Sequence, residues 1–248
     1  VCLQETLLND KDTITFKNHS MYNFIFPAEN RACGGVSVIV NNRTPHSPVS
    51  LNTNLQAVAV RVTLHKTITV CSLYIPPSST INIGDLDHLV TQLPTPFMLL
   101  GNFNGHNYLW GCRDIKAKGK LIEDFISKHN LCLFNNNTFT YLHPASGSYT
   151  SIDLSICDPS VFLDFSSRVD NDLHGSDHFP IILDTTGPNQ PDRAPRWSLP
   201  KADWTKFQNL CEDRLSHFTV KDDQDPIEIF TSILHDVATE AIPKTSST

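Results

Sequence analysis

The stretch AVAVRVTLHKTITVCSLYIPP, residues 57–77, contains the clearest secondary-structure signal of the chain. In its first half, Val58, Val60 and Val62 alternate with a more mixed face, which is the period-two pattern of a half-buried strand. A second apolar run begins three residues after the first ends, so we predict that the two runs form an antiparallel hairpin. The Pro-Pro pair ends the second strand because proline has no backbone N–H to donate to a sheet.

Further strands and helices are predicted on either side of this hairpin. Short apolar runs predict strands at 36–40, 97–103, 152–156 and 180–183, the last three placed like central strands. Apolar residues at helical spacing predict helices around 86–93 and 121–130. Because strand pairs are interspersed with helices, the pattern favours two packed sheets flanked by helices over a regular βαβ winding.

The end of the chain differs in composition from the rest. A Pro-rich stretch without apolar periodicity predicts a linker at 186–200, between a domain over 1–185 and a helical segment over 201–248. Two apolar stripes at helical spacing follow the linker, and we interpret them as core or docking faces.

Composition excludes several classes of protein. The chain has 248 residues and a formal net charge of −7, which is the wrong sign for holding nucleic acid by bulk charge, so a phosphate partner must be bound through local groups or a metal ion. The 7 cysteines are scattered and odd in number, which predicts neither a disulfide framework nor a zinc site. No apolar run approaches the roughly 20 residues of a membrane span, and no secretion signal opens the chain, so we expect a soluble protein without a membrane partner. The start at Val1, inside an apolar run, suggests that the true N-terminus is missing.

Polar residues follow several predicted strands, where sites on sheet proteins usually gather. Glu5 follows the first apolar run, and its carboxylate suits a hard cation such as Mg²⁺, although a lone Glu at a strand end is more often a solvated terminus. Asn102 and Asn104 point to the same side of an extended chain because the side-chain period is two. Their amides can orient water or phosphate but cannot take up a proton.

Three further candidates complete the set. Asp153 lies inside an apolar strand, so its charge needs a partner, which His178 could supply; a strand-end Asp bound to a backbone amide is the alternative. Tyr74 ends its strand before the proline pair, where a tyrosine is also a common core residue.

Together these residues form an ordered set of five motifs. The set is Gln4-Glu5-Thr6, Leu73-Tyr74-Ile75-Pro76-Pro77, Gly101-Asn-Phe-Asn104, Ser151-Ile-Asp153 and Ser176-Asp-His178. Over residues 1 to about 185 this order resembles the endonuclease/exonuclease/phosphatase superfamily. Asn102-Phe-Asn-Gly-His106 with Leu109-Trp-Gly111 is similar to the nuclease domain of non-LTR retrotransposons. Arg196-Trp-Ser-Leu-Pro-Lys-Ala-Asp-Trp204 is similar to the segment leading towards the reverse transcriptase in jockey-like elements.

The resemblance implies a four-layered α/β sandwich, two packed, mainly antiparallel sheets flanked by helices, with its first strand truncated and a helical C-terminal extension. It also implies a DNA endonuclease dependent on Mg²⁺ or Mn²⁺, in the nucleus, covalently continuous with a reverse transcriptase. In that scheme the nick supplies the 3′ hydroxyl that primes reverse transcription. The implied site residues are Glu5 and Asp177 at the metal, Tyr74 at the scissile phosphate, Asn102 at the position of the base, Asn104 at the attacking water, and Asp153 orienting His178.

The chain departs from the family pattern at two places. Asn102 stands where the family has Asp, and it lacks both negative charge and basicity. The family's early asparagine motif would precede residue 1. The alternatives are therefore a catalytically dead nucleic-acid-binding remnant and a phosphatase of the same superfamily, against which the Trp110-Gly111 segment argues.

Basic residues soon after the Asn102 motif are candidates for DNA contact. These are Arg113, Lys116, Lys118 and Lys120, with Trp110 as a neighbouring aromatic. We expect the four cations to meet DNA phosphates, while a solvated helix face is the alternative.

Overall fold

The computed structural model describes residues 1–27, 33–186, 197–216 and 226–244. Its strands are β1 (Cys2–Gln4), β2 (His19–Phe24), β3 (Val36–Asn41), β4 (His46–Val49), β5 (Gln56–Thr63), β6 (Thr67–Tyr74), β7 (Phe97–Asn102), β8 (Cys132–Leu133), β9 (Tyr141–Leu142), β10 (Tyr149–Thr150), β11 (Asp153–Cys157), β12 (Phe165–Val169) and β13 (Ile181–Thr185). Its helices are α1 (Ile83–Val90), α2 (Ala117–Lys128), α3 (Pro159–Phe162), α4 (Trp204–Ser216) and α5 (Pro226–Ala241).

A six-stranded sheet in the order β4-β5-β6-β7-β11-β8 forms the centre of the first unit. The predicted hairpin is β5 and β6, which pair antiparallel from Gln56 opposite Tyr74 to Thr63 opposite Thr67. β6 and β7 run parallel, and α1 makes the crossover between them. This crossover brings the ends of two successive strands to the same edge of the sheet.

A smaller sheet in the order β1-β3-β2 packs on one face of the central sheet. Valines of β3 and β5 meet between the two sheets, with Val38 and Val60 almost wholly buried. The alternation that predicts β5 places this apolar side towards the second sheet.

Helices α1 and α2 cover the opposite face of the central sheet. Leu86 and Leu89 of α1 and Ile122 and Phe125 of α2 are fully buried against apolar side chains of the sheet. The helix α1 begins at Asn82 with a capping box, since the Asn82 and Asp85 side chains each accept from the other's backbone N–H.

The strand expected at 180–183 is not central, contrary to our prediction. Within the described residues β13 pairs with β12 alone, and its side chains are half-buried or exposed. The predicted mixed α/β fold with packed sheets and flanking helices is confirmed.

The described residues 197–216 and 226–244 belong to a second compact unit. Its helices α4 and α5 contact each other, and an ion pair joins Arg214 to Glu240. Most of the predicted linker, at 187–196, lies outside the described residues. No helix in the described part of either unit is long and apolar enough to cross a membrane.

Candidate active site

Four polar side chains lie side by side across the central sheet. Gln56 pairs with Tyr74, Tyr74 with Asn102, and Asn102 with Asp153, so one row crosses β5, β6, β7 and β11. Because paired residues point to the same face and strands are about 4.8 Å apart, these side chains are neighbours. The site row, as we name these four residues, lies on the face that meets the smaller sheet, together with Val60 of β5.

Tyr74 is almost wholly buried in this row. Burial raises the pKa of its hydroxyl, and the neighbouring Glu5 carboxylate raises it further. The phenol is therefore a hydrogen-bond donor at neutral pH, suited to a phosphate oxygen.

The backbone after β7 is fixed by the two asparagines. The Asn102 Oδ1 atom accepts from the Asn104 backbone N–H at 3.0 Å, and Asn102 is buried. The Asn104 Nδ2 atom donates to the Ile75 carbonyl oxygen at 3.1 Å, which connects this loop to the residue after Tyr74. Asn104 has a φ of 48°, a left-handed conformation that asparagine tolerates better than most residues.

Asp153 and His178 form a hydrogen-bonded pair beside the row. The distance from His178 Nδ1 to Asp153 Oδ2 is 2.8 Å. Burial opposes the charged imidazole, but the hydrogen bond that the ring donates to Asp153 and the charges of Asp153, Asp177 and Glu5 outweigh it, so the pKa of His178 is raised. The structure thus brings together the two side chains that the sequence paired.

A residue that the sequence analysis missed holds Asp153 in place. Thr140 is fully buried, and its Oγ1 atom accepts from the backbone N–H groups of Ile152 and Asp153, each at 3.2 Å. Its carbonyl oxygen accepts from the Phe179 N–H at 2.8 Å, which seats the segment carrying His178. No sequence pattern marks Thr140, because its role depends on contacts between segments remote along the chain.

Tyr141 was also missed, and it lies against the imidazole of His178. The two ring centroids are 4.6 Å apart, and the residues form a β-bridge. Burial raises the pKa of the Tyr141 hydroxyl, as do the charges of Asp177, Glu5 and Asp153.

Glu5 and Asp177 are the exposed carboxylates of the site. The charge of each raises the pKa of His178. The described residues contain no group of three or more His, Cys, Asp or Glu side chains that could hold a metal ion. Mg²⁺ needs only one or two protein carboxylates because it keeps several waters, so these oxygen donors fit hydrated Mg²⁺ or Mn²⁺.

The predicted nucleic-acid-binding residues differ in burial and in whether their side chains already have hydrogen-bond partners within the protein. Trp110 is fully buried and its Nε1 donates to the Gly105 carbonyl oxygen, so it is a core residue and the prediction that it contacts DNA is wrong. Lys118 donates from Nζ to the carbonyl oxygens of Pro76 and Pro77 at 2.7 and 3.0 Å.

The other cations of that cluster lie at the surface. Lys120 pairs with Glu123 and Asp124, and Lys116 lies 3.8 Å from an Asp114 carboxylate oxygen. Arg113 is exposed and makes no ion pair within the described residues. DNA contact by these cations stays a prediction.

The sequence of the chain is similar to a protein family and to two known proteins. Residues 68–182 match the family model described as Endonuclease-reverse transcriptase. The chain is 26% identical over 252 aligned positions to the RNA-directed DNA polymerase from mobile element jockey of Drosophila melanogaster, covering 97% of this chain and 27% of that protein. It is 22% identical over 246 positions to the probable RNA-directed DNA polymerase from transposon X-element of Drosophila melanogaster, covering 95% and 27%. The chain thus spans about a quarter of the length of these relatives.

A solved structure shares the fold. The endonuclease domain of TRAS1, a telomere-specific non-LTR retrotransposon, superposes with a TM-score of 0.57 at 19% identity, covering 67% of this chain and 80% of that one. The described part of the chain therefore has the fold of that endonuclease domain. The family match over residues 68–182 and the two relatives are similarities to retrotransposon proteins, and they agree with the resemblance given by the sequence motifs.

Proposed function

We propose that this chain is the DNA endonuclease part of a retrotransposon polyprotein, with a hydrolytic step that Asn102 suppresses. The observation that carries the proposal is the arrangement of Tyr74, Asn102 and Asp153 in one row, with His178 hydrogen-bonded to Asp153. In the element, the nick in target DNA would supply a 3′ hydroxyl for reverse transcription in the nucleus. Residues 1–185 would form the nuclease, 186–200 a linker, and 201–248 the segment leading to a reverse transcriptase.

Each residue of the site has a distinct task in this proposal. Tyr74 donates its phenolic proton in a hydrogen bond to the scissile phosphate, and Asn104 orients the attacking water. His178, held by Asp153 and with its pKa raised by the surrounding carboxylates, donates a hydrogen bond to the phosphoryl oxygens and stabilises the negative charge that develops there. Tyr74 is almost wholly buried, whereas Asn104 and His178 are half-buried and lie closer to solvent.

Glu5, with Asp177 nearby, would hold Mg²⁺ or Mn²⁺. A bound divalent ion supplies charge stabilisation for the phosphoryl and leaving oxygens. Glu5 has a φ of 51°, so the turn directly after β1 places its carboxylate beside Tyr74. The family's early asparagine motif is not among the described residues, and the proposal assigns it no role.

Asn102 lowers the rate of phosphodiester hydrolysis in this proposal. Its amide cannot accept the proton of the attacking water, and general-base catalysis contributes on the order of 10² to 10⁴ in rate. Replacement by Asp retains the Oδ1 acceptor used by the Asn104 N–H. The pocket can therefore accept the carboxylate without rearrangement of the loop, and the proposal assigns the lost rate to charge and basicity rather than to shape.

The test is nicking of supercoiled plasmid with Mg²⁺ by the full chain, by Asn102→Asp and by the double variant Asn102→Asp/Glu5→Gln. We expect Asn102→Asp to nick at least about 100-fold faster than the unmodified chain, and the double variant to lose that gain. Nicking by the unmodified chain at the rate of Asn102→Asp would contradict the assigned role of residue 102.

A second function is favoured by the same residue. Asn102 lacks basicity, which favours a DNA- or RNA-binding protein without catalysis. This second function would be supported if Asn102→Asp binds plasmid yet fails to nick it. Gel-shift measurements on the same preparations separate that result from a loss of folding.

A further inference from the structure

A cavity of about 660 Å³ adjoins the Gln56 end of the site row. It extends from Tyr74 along the segment between Ile75 and Ile81, and Phe26 and Gly34 line its other side. We propose that this cavity binds a nucleobase of the target DNA that has left the helical stack, next to the phosphate at Tyr74, and that Gln56 contacts this base. The inference rests on the proposed function and adds a base-binding subsite to it.

The charge of the walls argues for a nucleobase rather than a phosphate. The lining residues in the described part of the chain include no Lys, Arg or His, and their one charged side chain is the carboxylate of Asp85. A phosphate held by these described side chains would meet the Asp85 carboxylate and no cationic group. A neutral, planar and partly polar group suits such a pocket, and the bases are the parts of DNA that fit this description.

Gln56 supplies a fixed polar group in this cavity. Its side chain is buried, and its Oε1 accepts from the Gly35 backbone N–H at 2.7 Å. The side chain packs so closely that a Cβ added to Gly34 would lie 2.4 Å from the same oxygen. Gln56 is therefore held in one orientation.

The Nε2 atom of Gln56 makes no hydrogen bond within the residues that the structure describes, and it is not among their fully enclosed unpaired atoms. It is free to donate to a group in the cavity. All four bases present ring-nitrogen or carbonyl acceptors, so an amide N–H can serve any of them.

The position of the cavity next to Tyr74 indicates that the bound base neighbours the phosphate held by Tyr74. Gln56 lies directly opposite Tyr74 across the β5–β6 hairpin, about one strand spacing away. A concave cavity cannot receive a base that is still paired and stacked, so the base must be unpaired. The ring of Phe26 and the apolar walls at Ile75 and Pro76 can replace the lost stacking.

The test measures DNA binding by the full chain in the absence of catalysis. The probes are two fluorescent 30-base-pair duplexes that differ at one bulged nucleotide, which carries 2-aminopurine in one and is abasic in the other. We expect the chain to bind the duplex with the base between about 5-fold and 140-fold more tightly, because stacking of one base contributes roughly 1–3 kcal/mol. The 2-aminopurine fluorescence should also change on binding.

Two variants place the effect in the cavity. Gln56→Glu retains the oxygen that accepts from Gly35 but removes the amide donor, and Phe26→Ala removes a wall that is already partly exposed. Both should reduce the difference between the two duplexes at least 3-fold. Ser47→Glu is the control, because it adds the same charge away from the cavity. Ser47 lies on β4 opposite Arg61, which is five residues after Gln56 along β5, so this variant should leave the difference in affinity between the two duplexes unchanged.

The outcomes separate this inference from the proposed function. Equal binding of both duplexes, or a preference that both Gln56→Glu and Phe26→Ala retain with unchanged thermal unfolding, would overturn the base-binding cavity and leave a DNA-binding nuclease. Failure to bind either duplex would overturn the proposed function itself. If Gln56→Glu does not fold, Phe26→Ala alone decides the result.

Discussion

Replacing Thr140 by Val should destabilise the first unit strongly. The two side chains have nearly the same shape, but the substitution removes the Oγ1 atom that accepts from the N–H groups of Ile152 and Asp153. Each buried donor left without an acceptor costs about 1–3 kcal/mol. Because both hydrogen bonds are long, at 3.2 Å, we expect a total loss of about 2–4 kcal/mol in the free energy of unfolding.

Urea denaturation at neutral pH measures this loss, provided that the slope of the free energy with urea is unchanged. Thr63→Val is a matched control, since the Thr63 hydroxyl lies at the surface and pairs with Thr67 alone. It should change the free energy of unfolding by less than about 0.5 kcal/mol. If Thr140→Val costs no more than Thr63→Val, the argument that Thr140 holds the strand carrying Asp153 is refuted.

Two further predictions concern the packing of α2. Gly119→Ala should lower the free energy of unfolding by about 3 kcal/mol or more, because the added Cβ would lie 1.8 Å from the His106 carbonyl oxygen. This loss outweighs the usual advantage of Ala in a helix. A thermal melt unchanged from that of the unmodified chain would contradict the prediction. Asp87 of α1 accepts from Lys128 and His129, and these hydrogen bonds lower its pKa. Its stabilising contribution, about 1 kcal/mol, should be present above about pH 4 and should be lost as the pH falls through the folded-state pKa. Urea midpoints of the unmodified chain and Asp87→Asn should therefore differ at pH 7 and converge near pH 2; a constant difference would show that the charge of Asp87 is not responsible.

Much of the fold was predictable from local patterns. The alternation from Val58 onwards and the proline pair fixed the central hairpin, and the helical spacing of Leu86 and Ile122 located the two covering helices. The periodicity of apolar residues depends on which side of a single element is buried. It therefore predicts that a strand or helix is present, but not which other strands it pairs with. For that reason β13 looked central in sequence although it pairs with β12 alone among the described strands.

The candidate site divides in the same way. Motif order was enough to select Tyr74, Asn102 and Asp153, but not to show that they form a row with Gln56. Gln56 and Thr140 carry no motif, since each is defined by hydrogen bonds to segments distant along the chain. Trp110 followed a recognised motif, yet the loop folds onto α2 and buries its ring.

The sequence by itself determined the main strands and the two covering helices, together with the chemistry available at their ends, because both depend on residue type and local spacing; short elements such as β8, β9 and β10 carried no such pattern. Only the tertiary structure decided which of those residues meet. Strand order and register placed Gln56 beside Tyr74, seated His178 on Asp153 and turned Lys118 towards the carbonyl groups of Pro76 and Pro77. The physical reason is that a hydrogen bond or an ion pair forms over about 3 Å in space, whatever the distance along the chain.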